Sequence, residues 1–200
     1  MSTRSNRTGR TPTRGRGREV QPKRSNRWLW APLVLLGAII VAAVAVYLFN
    51  QTPSDLTGVQ TFPNQVRDHV QEPQTYNPAP PVGGAHNQAW LNCGIYDQPV
   101  PNENAVHSME HGAVWVTYRP DLPAADVETL RGLLRGHRYG LLSPYPDIPS
   151  PVVASAWGVQ LRLDSVSDPR LASFIEKYEN GSQTPEPGAS CRGGIGSPIQ

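Results

Sequence analysis

Apolar residues form one long run near the start of the chain and short periodic segments after residue 90. Residues 28–49 carry no charge and are almost all apolar. About 20 apolar residues cross the hydrocarbon core of a bilayer, and Trp28, Trp30 and Tyr47 lie near the ends of the run, where aromatic side chains favour membrane interfaces. A signal peptide would have a shorter apolar core, followed by a cleavage site of small residues. In this chain the candidate pattern, Ala-Val-Ala at residues 43–45, lies inside the apolar run and not after it. The pattern therefore predicts one uncleaved transmembrane helix.

The later apolar patterns predict a mixture of helices and strands. We expect a short strand or extended segment at 90–97, a helix opened by Asn102 as N-cap and ended by Gly112, a strand at 113–118, a helix from residue 122, strands at 152–157 and 159–163, and a helix from Asp168 to Tyr178. Four prolines predict irregular structure around residues 143–151. Together these elements predict one small α+β domain at residues 67–180, a short β-sheet covered by helices and preceded by the single transmembrane helix.

The distribution of charge places the parts of the chain on opposite sides of a membrane. Residues 1–27 contain nine Lys and Arg against one acid, a net charge of +8, and their polar composition predicts a disordered basic arm. The positive-inside rule keeps this arm in the cytoplasm, so the domain is predicted to be extracytoplasmic on a single-pass cell-membrane protein. A basic arm beside a membrane helix indicates topology and contact with the lipid bilayer, and we exclude nucleic acid as its partner. Other membrane or cell-envelope proteins are candidate partners.

Two flanking segments and two cysteines complete the organisation of the domain. Residues 50–66 are polar and broken by proline, as in a linker, and residues 181–200 form a Gly- and Pro-rich tail. In an oxidising compartment, Cys93 and Cys191 are expected to form a disulfide that tethers this tail. The alternative is that both thiolates are ligands of copper or zinc.

The segment from Glu103 to Gly112 carries the candidate chemistry. On a helix, its two histidines and two acids fall within a stripe roughly 100° wide, because residues three and four apart share a face. The stripe consists of Glu103, His107, Glu110 and His111, and the opposite side consists of Ala105, Val106 and Met109. The helix therefore has one face to bury and one face of imidazoles and carboxylates.

These side chains predict a transition-metal site. His107 and His111 at positions i and i+4 can reach one ion, and His86 or His69 can add a third nitrogen. Glu103 or Glu110 would hold an imidazole N–H and fix its tautomer. Imidazole-rich ligation in an oxidising compartment favours copper or zinc.

Two further functions remain open at this stage. Residues 107–111 match H-x-x-E-H, the inverted zincin pattern, in which Glu110 would be the general base of a zinc-dependent hydrolase. Glu128 is the downstream candidate in a helix for the further acidic ligand of such an enzyme. The other function is a non-catalytic, membrane-anchored interaction or scaffold domain with a buried His/Glu network, which chelators would not affect. Whether the protein is an enzyme is therefore left open.

Three motifs resemble one known family. The Pro-Pro-x-x-Gly-x-His loop at 80–86, the Cys-Gly-Ile-Tyr-Asp segment at 93–97 and the Val-His-Ser-Met-Glu-His-Gly helix at 106–112 are similar in order and spacing to the bacterial family catalogued as domain of unknown function 3105. The resemblance covers roughly residues 65–178 and implies a single-pass membrane protein, but it implies no activity.

The resemblance also implies which residues belong together. The family carries histidines at the positions that match His69, His86, His107 and His111. This chain departs from the commonest form by Met109, where leucine is usual, and by its cysteine pair, which only some members share.

Overall fold

The computed structural model describes residues 27–50 and 56–200, and only the backbone is described for 27–31 and 45–50. The chain divides into two units, Met1–Thr52 and Pro53–Gln200. The predicted basic arm lies outside the described residues apart from position 27, as do residues 51–55 of the predicted linker.

In the first unit, the described residues form the 24-residue helix α1 (Arg27–Asn50). Within the part of the chain that the structure describes, no helix meets the combined length and apolarity needed to cross a membrane. The transmembrane helix and the membrane topology stay predictions.

The second unit is a small α+β domain built on a six-stranded sheet, which confirms that part of the predicted fold class. Its strands are β1 (Gln60–Thr61), β2 (Gly94–Ile95), β3 (Val114–Tyr118), β4 (Gly140–Pro144), β5 (Val152–Ala156) and β6 (Val159–Leu163). Its helices are α2 (Asn102–Glu110), α3 (Ala124–Leu134) and α4 (Pro169–Tyr178). The strand order is β1-β6-β5-β3-β4-β2, in which β4 is parallel to both β3 and β2 and all other pairs are antiparallel.

The strands β3, β4 and β5 are buried on both faces of the sheet, as β3 shows. All five of its residues are buried. Val114, Val116 and Tyr118 pack into a core with α3 and α4, whereas Trp115 packs into a second core with α2. Side chains two positions apart on a strand share a face. The continuous apolar run of β3 therefore serves two layers, and α2 lies on the face opposite α3 and α4.

Two strands lie where the sequence predicted none. β4 enters the region in which Pro144 and its neighbours predicted irregular structure, and its full length pairs with β3. Pro144 is tolerated because it is the last residue of the strand, and the next backbone N–H, of Tyr145, donates to Tyr118 O at 2.8 Å. β1 lies inside the predicted linker 50–66, pairs with β6 and forms one edge of the sheet.

The C-terminal tail is held against the segment before α2. Cys93 and Cys191 form the predicted disulfide, with 5.4 Å between their Cα atoms, so thiolate ligation by this pair is excluded. Cys93 N donates to Cys191 O at 2.8 Å, and Ile195 N donates to Trp90 O at 2.9 Å. Further along, Ile95 N donates to Gln200 O. Residues 191–200 thus run beside residues 90–95.

Candidate metal centre

A backbone pairing between two distant segments brings the first two histidines together. His69 and His86 form an isolated parallel β-bridge. Val70 N donates to His86 O at 2.7 Å, and His86 N donates to Asp68 O at 2.9 Å. The two imidazole ring centroids are 5.0 Å apart. The position of His69 is therefore fixed by the loop that carries His86.

The Pro/Gly loop orients His86 through its backbone. Gly84 has φ +113°, a conformation that L side chains rarely adopt. Its carbonyl oxygen accepts a hydrogen bond from His86 Nδ1 at 2.8 Å. At Gly83, a Cβ atom would lie 2.8 Å from Gln65 Cγ. The two glycines allow the loop to turn back on the imidazole that follows it.

Helix α2 presents the other members of the cluster. Ala105, Val106 and Met109 are completely buried on its core side. The helix begins after Pro101 without a side-chain cap, so the predicted N-cap is wrong; the Asn102 amide instead donates to the Tyr145 hydroxyl at 3.2 Å. After the helix, Gly112 has φ +114°.

Four potential ligand groups converge on the outer side of α2. Ligand atoms of His69, His86, His107 and Glu110 all lie within 4.8 Å of one another. The last three side chains are buried, whereas His69 is exposed. The His107 ring centroid is 5.0 Å from that of His69 and 4.9 Å from that of His86. The group has the size and chemistry of a site for one metal ion.

The histidine tautomers are set by backbone carbonyl groups. His86, His107 and His111 each place Nδ1 against a carbonyl oxygen, of Gly84, Asn87 and Ser190 respectively, at 2.7–2.8 Å. Because a carbonyl oxygen can only accept, Nδ1 carries the proton in each case. The neutral imidazole therefore keeps its lone pair on Nε2, which is the orientation usual for metal-binding histidines.

Glu110 divides its carboxylate between a cation and the imidazole cluster. Its Oε1 accepts from Arg67 Nε, and its Oε2 lies 2.9 Å from His86 Nε2. Among the described residues, His86 Nε2 has no hydrogen-bond partner. In the neutral tautomer that keeps the proton on Nδ1, its lone pair faces this carboxylate oxygen, which is a second acceptor. Two facing acceptors repel unless a proton or a metal ion lies between them.

Burial and neighbouring imidazoles keep His107 in the neutral form. Desolvation lowers its pKa, and possible positive charges on His111, His86 and His69 lower it further, against an opposing effect of the hydrogen bond to Asn87. A neutral imidazole is the form that binds metal, so the shift favours ligation.

His111 lies beside the cluster without joining the four. Its ring centroid is 4.6 Å from that of His107. Its Nε2 is 3.7 Å from Glu186 Oε2. The structure therefore brings Glu110 into the group in which the sequence predicted His111.

Glu103 lies at the other end of the helix and stabilises loops. Its carboxylate accepts from Gln74 N at 2.7 Å, and its carbonyl oxygen accepts from Asn87 N at 3.3 Å. Among the described residues, no hydrogen bond or ion pair joins Glu103 to an imidazole. Its structural role is to hold the backbone that supports His107.

Several residues around the cluster were missed by the sequence analysis. Arg67 joins Glu110 to Glu186, with 2.9 Å between Arg67 Nη2 and Glu186 Oε1. Trp157 packs edge-on against His86 and Trp90 contacts the rings of His107 and His111, with centroid distances of 5.2–5.9 Å. Arg67 lies only two positions before His69 in the sequence, but no local pattern indicates its partners.

Comparison with known proteins identifies a family to which the chain is similar. No curated protein and no solved structure matches the chain. The model of a family described as Protein of unknown function matches residues 69–193, which include the three histidines and Glu110 of the cluster, His111 beside it, and both cysteines. The chain therefore belongs to the family Protein of unknown function (DUF3105).

Proposed function

We propose that the domain binds one transition-metal ion, zinc or copper, without turnover. The ligands are a ring nitrogen of His69, Nε2 of His86 and His107, and a carboxylate oxygen of Glu110. The observation that carries the proposal is the contact of 2.9 Å between His86 Nε2 and Glu110 Oε2, both buried. Both atoms are electron-pair donors in the tautomer that the backbone favours, and a cation between them turns repulsion into ligation.

The donor atoms require only a local adjustment to bind an ion. Ligand atoms of a tetrahedral zinc site at bond lengths of about 2.0–2.1 Å lie roughly 3.3 Å apart. The donors of the cluster already lie within 4.8 Å of one another. His69 is the exposed member of the cluster. Its side chain can therefore move to bring the four donor atoms closer together, and the ion enters the site past this side chain.

The available donors favour a divalent ion. The cluster offers nitrogen and oxygen, while both cysteines are in the disulfide. The Met109 side chain is completely buried in the core. Zn²⁺ and Cu²⁺ suit imidazole with carboxylate, whereas Cu⁺ prefers sulfur. In keeping with the charge pattern and the apolar run, we place this centre outside the cell membrane on a single-pass anchor.

Metal analysis of the full-length chain, purified without a histidine tag or chelator, tests the proposal. We expect one zinc or copper ion per chain. Binding should be lost in His107→Ala and weakened at least tenfold in His69→Ala, whose exposed side chain contributes little to folding. His137→Ala is the matched control, because His137 pairs with Glu179 away from the cluster. A chain that takes up neither ion after refilling would instead support the metal-free His/Glu network.

Hydrolysis of the H-x-x-E-H type has less support from the geometry. That mechanism needs His111 as a ligand and Glu110 as a free base, but Glu110 is held by Arg67 and directed at His86. The two roles differ in Glu110→Gln. A general base would leave metal affinity intact in that variant and abolish turnover, whereas a ligand would lower the affinity itself.

A further inference from the structure

A cavity with several cationic side chains lies on a part of the domain that the metal proposal does not use. It has a volume of about 470 Å³ and lies where the turn after α3 meets β2 and the C-terminal tail. Its lining includes Arg135, His137, Arg138 and Arg192 around the apolar side chains of Ile95 and Leu134. None of the described residues that line it is Asp or Glu. The cavity is within the size range of small-molecule sites.

The distribution of ion pairs makes this cavity unusual for the domain. Residues 56–200 contain nine Lys and Arg against fourteen Asp and Glu, so acids are in excess. Ion pairs with carboxylates occupy Arg67, Arg119, Arg131, Arg135 and Arg170. Lys177 lies over the Tyr178 ring, and Arg162 donates to Gln160.

Of the nine Lys and Arg side chains in residues 56–200, two take part in none of these contacts, those of Arg138 and Arg192. Among the described residues, neither has an ion-pair or hydrogen-bond partner, and both line the same cavity. In an acidic domain, two unpaired arginines brought together from positions far apart in the chain indicate an external anion as their partner.

Hydrogen bonds hold the backbone beside the cavity, at the end of α3 and in the turn that follows it. The negative end of α3 would oppose an anion, but two of its last carbonyl groups accept hydrogen bonds: Arg131 O accepts from Arg135 N, and Leu134 O accepts from His137 N, both at 3.0 Å. The Glu179 carboxylate binds the turn after α3 but does not line the cavity. One of its oxygens lies 2.5 Å from His137 Nδ1, and the other accepts a hydrogen bond from Tyr139 N at 2.8 Å. A carboxylate at Gln200 would offset one of the three arginine charges of the lining, and the net charge of the lining would stay positive.

We propose that this cavity binds a phosphate group. Guanidinium groups match phosphate oxygens in paired hydrogen bonds, and the apolar floor accommodates the body of the molecule that carries the phosphate. Arg138 and Arg192 bind the anion directly, and Arg135, whose pair with Glu128 is exposed, joins them at the rim. The proposal is independent of metal binding.

Calorimetric titration of the full-length chain at fixed ionic strength tests the site with two probes. Inorganic phosphate represents a free anion, and dihexanoyl phosphatidylglycerol below its micelle concentration represents a lipid headgroup. Saturable binding of either probe supports the site, and the tighter probe identifies the source of the phosphate. Saturation by neither probe overturns the proposal. Metal content is measured in every sample, because a bound divalent cation would itself attract phosphate.

Two double variants separate a specific site from general charge. Arg138→Gln with Arg192→Gln should weaken binding at least about tenfold, since each removes a charged hydrogen-bond donor. Arg119→Gln with Arg162→Gln removes an equal number of positive charges, two, from exposed positions outside the cavity. Equal weakening by both pairs would show general electrostatic attraction and overturn the site. Unchanged thermal unfolding of each variant confirms that the fold is retained.

Discussion

The pairing of Arg67 with Glu110 leads to a prediction about stability that depends on metal. The Arg67 side chain is 49% exposed and that of Glu110 only 2%. Arg67→Met keeps most of the apolar stem and removes the charge. The variant leaves a buried carboxylate whose remaining close neighbour is an imidazole lone pair. The metal-free domain should therefore be destabilised by this substitution.

The magnitude follows from the unequal burial of the two partners. Removing one member of a buried ion pair costs about 3–5 kcal/mol, and an exposed pair contributes about 0–1 kcal/mol. Because Arg67 is half exposed and Glu110 is buried, we expect a loss of about 2–3 kcal/mol in the free energy of unfolding. For a domain of this size, the loss lowers the Tm by about 4–12 °C.

A bound divalent cation should remove most of this penalty, because it places a positive charge beside the Glu110 carboxylate in the variant that lacks the Arg67 guanidinium. With metal, we expect a loss of about 1 kcal/mol or less. By linkage, the folded variant should then bind the ion roughly 5- to 30-fold more tightly than the parent. Urea and thermal unfolding with saturating Zn²⁺ and after chelation measure both quantities.

Two arginine variants serve as controls for this cycle. Arg67→Lys keeps a positive charge and should retain most of the stability. Arg119→Met removes an exposed guanidinium that pairs with the exposed Asp121, and should change the free energy of unfolding by less than about 0.5 kcal/mol. Equal destabilisation of Arg67→Met with and without metal, or an unaffected metal-free variant, would refute the reasoning.

Three other substitutions test the framework of the site. Replacing Cys93 and Cys191 by serine opens a loop of 98 residues, and should lower the free energy of unfolding in urea by about 3–5 kcal/mol. Gly112→Ala forces a φ of +114° and places a Cβ 2.9 Å from a backbone atom, so it should destabilise by more than about 1 kcal/mol, whereas Gly132→Ala, in open helical space, should stabilise slightly. Burial lowers the pKa of His107 in the folded chain, so the unfolded chain binds the proton first; metal-free stability should fall as pH drops below about 6.5, and less steeply in His107→Gln.

Local pattern predicted the elements whose burial is periodic and failed where pairing decides. α4 repeats Leu171, Phe174 and Ile175 on one face, and all three are buried. The apolar run of β4 consists only of Leu141 and Leu142 and lies close to prolines, so it does not identify a strand by itself. The strand forms because β3 supplies a parallel partner. β1 is a two-residue edge strand whose side chains are exposed, so its sequence carries no pattern.

The helical stripe predicted which side chains share a face but not which ones meet. A stripe describes rotation around the axis and ignores translation along it. Glu103 and Glu110 are separated by seven residues, which is roughly 10 Å along a helix at about 1.5 Å per residue. One ion cannot contact both ends of such a stripe. The strand bridge of His69 and His86 selects the end at Glu110, while the Ser190 carbonyl holds His111 to one side.

The centre consequently depends on contacts that cross most of the domain. Arg67 is 43 residues from Glu110 and 119 residues from Glu186, and no local sequence rule connects them. Glu186 N also donates to Glu110 O at 3.0 Å, so the segment before Cys191 holds both the backbone and the side chain of a proposed ligand. An unfolded chain has none of this geometry, and the free energy of metal binding is then largely free energy of folding. Metal affinity and docking of the tail should therefore rise and fall together, since both require the same arrangement around Glu110.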